Sequence, residues 1–252
     1  TVLTREAMPI EWARTTMKLA NAYYDRIRGE QADNLERAIA GCEQTLTVYT
    51  REAMPIEWAI TTMKQASAYR KRIRGERADN LEHAIALNEQ ALTVLTREAM
   101  PIDWAQTTMT LANAYKERIR GERVDNLERA IALNEQALTV YTREAMPVEW
   151  AMTTSNLALA YSQRMRGKRA DNLERAIMGY EQALSVFTIN ADPNEHRRVW
   201  RNLGHLHFGE RDWQRSLYAD TCASQAGEML FSNAHTEAGR RAELAEVSGL
   251  SA

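Results

Sequence analysis

Threonine, proline and glycine return at a fixed interval in this chain. Thr4, Thr50, Thr96, Thr142 and Thr188 are 46 residues apart, and so are Pro9, Pro55, Pro101, Pro147 and Pro193. A period of this length dictates an array. A unit so short cannot bury both of its faces alone, so it must stack on its neighbours to complete a core. The units run over 4–49, 50–95, 96–141, 142–187 and 188–231 of a single solenoid spanning 1–252, with 232–252 left as a partial terminal helix.

Each unit divides into two helices. In the second, Pro55 suits a first helical turn, where its missing N–H costs nothing. The helix is expected to run on to Arg74 and stop at Gly75, with Arg72 and Arg74 favoured by the dipole at its carboxyl end. Asp79 is placed to cap the following helix, and Glu82 completes a capping-box pattern. Gly29/Asp33/Glu36, Gly121/Asp125/Glu128 and Gly167/Asp171/Glu174 repeat these signals. Ala59, Thr62, Ala66, Tyr69 and Ile73 form the apolar stripe of the first helix. Leu81, Ala84, Ile85, Asn88, Ala91 and Leu92 form that of the second. Only 11 Gly and 5 Pro punctuate the chain, which suits long helices. The expected fold is all-α: a right-handed α-solenoid of stacked antiparallel helix pairs.

Charge and composition exclude several functions. The net charge of −2 argues against a dedicated nucleic-acid binder. The Arg-rich junctions such as Arg72–Arg77 leave an RNA-binding helical repeat as an alternative, but interleaved Glu30, Glu76 and Glu122 favour a salt-bridged rim. No apolar run nears the roughly 18 residues a membrane span needs, and no secretory leader is visible. Cys42 and Cys222 read as buried thiols of a reducing compartment, hence a cytoplasmic location. His83, His196, His205, His207 and His235 show no metal-ligand spacing, and the glycines are isolated helix stops rather than a phosphate loop. No cofactor, metal or catalytic residue is therefore expected, and the segment does not read as an enzyme.

Leu19, Ala20, Tyr23, Ala38 and Thr45 in the first unit, and Leu157, Ala158, Tyr161, Ala176, Tyr180 and Ala183 in the fourth, resemble the tetratricopeptide repeat. The fifth unit, with Trp200 to His207, Ser216 and Ala223, has that family's ordinary spacing. The first four carry about twelve extra residues in the RGERAD and TREAMPIEW segments. This longer unit is similar to the arrays that precede the caspase-like CHAT domain in many bacterial proteins, so the resemblance implies a bacterial, CHAT-associated scaffold. Any protease activity would lie outside this segment. The opening TVLTREAM reproduces Thr93–Met100, and the last residues, from about Asn233 to Val247, read as a first helix without its partner. Both features suggest a piece of a longer protein.

Comparing the copies within the chain shows where the letters change. Four columns of the first helix vary most: Arg14/Ile60/Gln106/Met152, Lys18/Lys64/Thr110/Asn156, Asn21/Ser67/Asn113/Leu159 and Asp25/Lys71/Glu117/Gln163. Offsets of four, three and four place them on one helical face. Tyr24, Arg70, Lys116 and Ser162 border it. The resemblance implies that this face lines a concave groove. The expected function is a protein-interaction scaffold that takes an extended or helical segment there, acidic toward the first three units. An attached CHAT-type protease would be regulated or targeted by it. Self-assembly through the exposed solenoid ends is the alternative.

Overall fold

The computed structural model describes residues 4–233, and among them all regular structure is α-helical. The C-terminal helix expected beyond Asn233 lies outside the described residues. The fold is an all-α solenoid of stacked helix pairs, dividing between Val140 and Tyr141 into two compact bodies. The first holds α1 (Pro9–Tyr24) with α2 (Gln31–Leu46), α3 (Pro55–Lys71) with α4 (Arg77–Leu92), and α5 (Pro101–Glu117) with α6 (Arg123–Ala137). The second holds α7 (Pro147–Ser162) with α8 (Arg169–Leu184) and α9 (Pro193–Gly209) with α10 (Trp213–Asn233).

Alanines set how closely the helices approach. Ala59, Ala66, Ala84 and Ala91 are fully buried, and Leu81 fills the space beside them. In the first body the second helix of one pair lies on the first helix of the next. Ile39 of α2 meets Ala68 of α3, and Ile85 of α4 meets Leu111 and Ala114 of α5. These contacts are the core that a lone hairpin lacks.

The recurrent TREAM segment has a structural explanation. Each threonine accepts a hydrogen bond from a backbone N–H three residues on, as Thr50 does from Ala53 at 3.2 Å, which holds a turn before the helix. The next residue, Arg51, lays its guanidinium 5.4 Å from the centre of the Trp58 ring and donates to Thr93 at 3.0 Å. Arg5, Arg97 and Arg143 stack likewise on Trp12, Trp104 and Trp150. The tryptophans are half-buried packing residues under a cation.

Three local expectations are corrected. The first helix stops before the glycine: α3 ends at Lys71, and Ile73 stands 58% exposed in the connection rather than on the apolar stripe. Gly75 does take the left-handed conformation, φ 80°, but within the turn that follows. Its carbonyl neighbour is the reason: buried Asn80 donates from Nδ2 to the Arg74 oxygen at 2.9 Å and pins the connection as a loop. Second, Asp79 does not cap. Glu76 occupies the N-cap of α4 without a side-chain bond, and Asp79 lies inside the first turn. Third, Cys222 is half-buried, whereas Cys42 is buried.

Asp33, Glu36, Asp79 and Glu82, all expected at helix starts as caps, instead join successive pairs. Arg72 forms two bonds to Glu36, at 2.7 and 2.9 Å, and Arg74 reaches Asp33 at 2.5 Å. One repeat later, Arg118 holds Glu82 at 2.7 and 2.8 Å, and Arg120 holds Asp79 at 2.5 Å. The two-pronged arginine fork makes each inner pair the stronger of its set. The hydrogen bonds from Arg72 and Arg118 hold the Glu36 and Glu82 carboxyls below their usual 4.5. A depressed folded-state value means that the stabilisation is complete above the unfolded value and is lost as pH falls through the folded one. Denaturant midpoints followed below pH 4.5 should therefore drop more steeply for the parent than for the Glu36→Gln/Glu82→Gln double variant. Parallel curves would show that these pairs contribute nothing.

Candidate interaction face

Variable columns of the first body come together where α1 meets α3. A recess of about 150 Å³ opens there, lined by Ala20, Asn21, Tyr24 and Asp25 from the α1 segment, Ala38 and Cys42 from α2, and Lys64, Ser67 and Ala68 from α3. Five of these nine residues, Asn21, Tyr24, Asp25, Lys64 and Ser67, are variable positions. The remainder, small residues and a thiol, make its floor. Lys71 closes one side with its Nζ 4.4 Å from the centre of the Tyr24 ring. Burial pushes the Cys42 thiol up to about 12, with Lys64 opposing the shift only in part. The floor is therefore an uncharged, unreactive sulfhydryl. The recess has room for one side chain, with a carboxylate and an ammonium at its rim.

Toward α5 the face turns inward on itself. Arg70 pairs with Glu117 at 2.7 Å, and Arg77 reaches the other oxygen of the same carboxylate at 2.5 Å. Arg70 is thus committed to a neighbour 47 residues away. Arg77 also donates to the Arg70 carbonyl at the end of α3, and Arg123 does the same for Lys116 at the end of α5. Thr110 is buried at 9% exposure and donates to the Gln106 carbonyl at 2.8 Å. Asn113, Lys116 and Gln106 are half-buried. Arg14 and Lys18 on α1 are exposed, Ile60 on α3 is half-buried, and Lys64 is half-buried in the recess. Cationic character is thereby concentrated at the first two pairs.

In the second body the same columns place Met152 and Leu159 half-buried, Asn156 buried at 6% and Gln163 exposed. Ser162 donates to the Leu159 carbonyl at 2.8 Å. The fifth pair extends the pattern in a way the sequence reading missed. Arg198, Asn202 and His205 line a depression of about 410 Å³ on α9, with Asn194, Glu195, Arg197 and Arg201. Arg198 pairs with Glu195 at 2.5 Å. The signal was available: each of the three lies one 46-residue period beyond Met152, Asn156 and Leu159. Among the described residues, no cluster of three or more His, Cys, Asp or Glu is arranged to hold a metal ion. No described helix is long and apolar enough to cross a membrane.

Helix pairs of recurring length, each bearing a variable face on its first helix, define a helical-repeat array. No protein-family model matches the sequence, and no curated protein sequence matches it. At the level of structure the chain is similar to BtubC (BKLC) from P. vanneervenii, seen in a crystal structure. The TM-score is 0.59 with 18% sequence identity, over 90% of this chain and 93% of that one. At that identity the likeness bears on the fold alone.

Proposed function

We propose that the chain is a non-catalytic protein-interaction scaffold whose variable first-helix face binds a segment of a partner protein. The observation that carries this reading is the recess between α1 and α3. Substitutions between copies gather at its rim, while the alanines of its floor, Ala20, Ala38 and Ala68, stand in columns that are alanine in all of the first four units. Residues varying on one face while the exposed Glu52 repeats unchanged as Glu6, Glu98 and Glu144 fit selection for a contact rather than drift. The partner segment would place one side chain in the recess, with an anionic group toward Arg14, Lys18 and Lys64. We assign the array to the long tetratricopeptide type, in a cytoplasmic bacterial protein with a CHAT-type protease elsewhere in it. In the first body, Arg72, Arg74, Arg118 and Arg120 are paired with carboxylates, which withdraws four of the cations on which an RNA-binding rim would draw.

Peptides selected by display against the whole chain test this reading. Lys18→Glu/Lys64→Glu should weaken them at least about tenfold, a loss of about 1.4 kcal/mol, because a rim attraction becomes a repulsion. Gln44→Glu, on an exposed turn of α2, should leave them unchanged. Peptides that bind both variants equally would place recognition elsewhere.

A further inference from the structure

The face of α1 turned away from α3 repeats, at four of five positions, the half of the seam that α3 presents to its predecessor. Thr15, Leu19, Ala22, Arg26 and Arg28 lie one period before Thr61, Gln65, Ala68, Arg72 and Arg74. In α3 and α5 these columns are closed: Thr61 is 1% exposed, Ala68 1%, Leu111 1% and Ala114 0%. On α1 they are open. Leu19 is 55% exposed, and Thr15 and Ala22 are exposed. Among the described residues Arg26 and Arg28 form no ion pair, whereas their counterparts hold Glu36, Asp33, Glu82 and Asp79.

We propose that this face docks the second helix of a further hairpin of the same repeat type, one headed by the sequence Asp-Asn-Leu-Glu. That helix supplies what the face lacks. Its Asp and Glu, three residues apart, would meet Arg28 and Arg26. Its Leu and the Ile four residues beyond would cover Leu19 and Ala22, as Ile85 covers Leu111 and Ala114 in the seam between α4 and α5.

Charge selects this occupant over a second copy of the chain placed end to end. The outward face of α10 is apolar: Trp213 is 57% and Leu217 70% exposed, in the columns where Leu81 and Ile85 are buried. However, the columns of Asp79 and Glu82 there hold Arg211 and Gln214. Stacking α10 on α1 would set Arg211 against Arg28 and provide no carboxylate for either arginine. Like charges at a contact cost affinity and specify against that pairing. This inference is independent of the variable face.

The test extends the full chain by a copy of residues 50–95 placed directly ahead of Thr4, which preserves the period. The extended chain is expected to melt at least about 3 °C higher, as a contribution near 1 kcal/mol would give at this size. Amide exchange in 13–22 should slow at least about tenfold. Arg26→Glu/Arg28→Glu should reverse both gains in the extended chain and leave the melting of the original chain unchanged. Reversing the Asp and Glu of the added copy as well should restore them. If Arg26→Glu/Arg28→Glu alters both chains equally, or 13–22 exchanges at the same rate in both, the proposal is overturned. It is likewise overturned if the original chain self-associates in sedimentation and the two reversals strengthen that association, which would make a second copy the occupant.

Discussion

Leu111→Ala is expected to destabilise the first body by about 2–5 kcal/mol, while Leu19→Ala, at the same column of the repeat, is expected to cost under about 0.5 kcal/mol. The chemistry removed is identical, so the difference isolates the surroundings. Leu111 is 1% exposed and lies among Ala84, Ile85, Ala112, Ala114 and Leu133. Three of those neighbours are alanines, which have no rotamers with which to fill the space left behind. The cavity therefore persists, and its cost adds to the lost transfer energy. Leu19 is already 55% exposed, and its removal leaves no enclosed void. Urea melts of the two variants against the parent measure the contrast. In a repeat array the loss should appear as destabilisation of the first body, because stability there is a sum over pairs and seams. Equal costs at the two positions would mean that the seam between α4 and α5 contributes no more than the open face of α1.

The features legible in the sequence were those carried by short-range pattern. The period, the two helices per unit and the buried Ala59, Ala66, Leu81, Ala84 and Ala91 all follow from spacing and residue size. What escaped depended on partners a whole repeat away. Asp79 and Glu82 satisfy the local rule for a helix start, and nothing within one unit distinguishes a cap from a reach to Arg120 and Arg118. The comparison between copies held the answer: the four units with an Arg-x-Arg pair also have the Asp-x-x-Glu pair, and the fifth, with Arg211 and Gln214 at the latter positions, has neither. Helical periodicity likewise carried the first helix through to Ile73, because apolar spacing alone cannot register that a side-chain amide claims the Arg74 carbonyl. On the variable face, the offsets gave the positions but not their freedom. Arg70 looked like an available cation, yet it pairs with Glu117 of the following unit.

That side-chain amide carries the second large effect. Asn80→Ala should destabilise the first body by about 1–3 kcal/mol, because it strips a side-chain donor from the Arg74 carbonyl in a site where Asn80 is 3% exposed. The arrangement recurs: Asn34 donates to the Arg28 carbonyl at 3.0 Å, Asn126 to Arg120 at 2.9 Å and Asn172 to Arg166 at 2.8 Å. Each of these carbonyls directly precedes a left-handed glycine, so the amide fixes a loop that lacks helical bonds of its own. The same loop carries Arg72 and Arg74 to Glu36 and Asp33. Loosening it should therefore weaken a seam with the preceding pair that Asn80 does not touch. A double-mutant cycle between Asn80→Ala and Glu36→Gln should accordingly show a coupling of at least about 0.5 kcal/mol, although neither side chain contacts the other. Asn80→Asp separates donation from packing, since it preserves the shape but turns a carboxylate oxygen toward a carbonyl. It should be at least as destabilising as alanine at neutral pH. If aspartate is tolerated, the amide acts only by filling space, and the loop is held by its glycine alone.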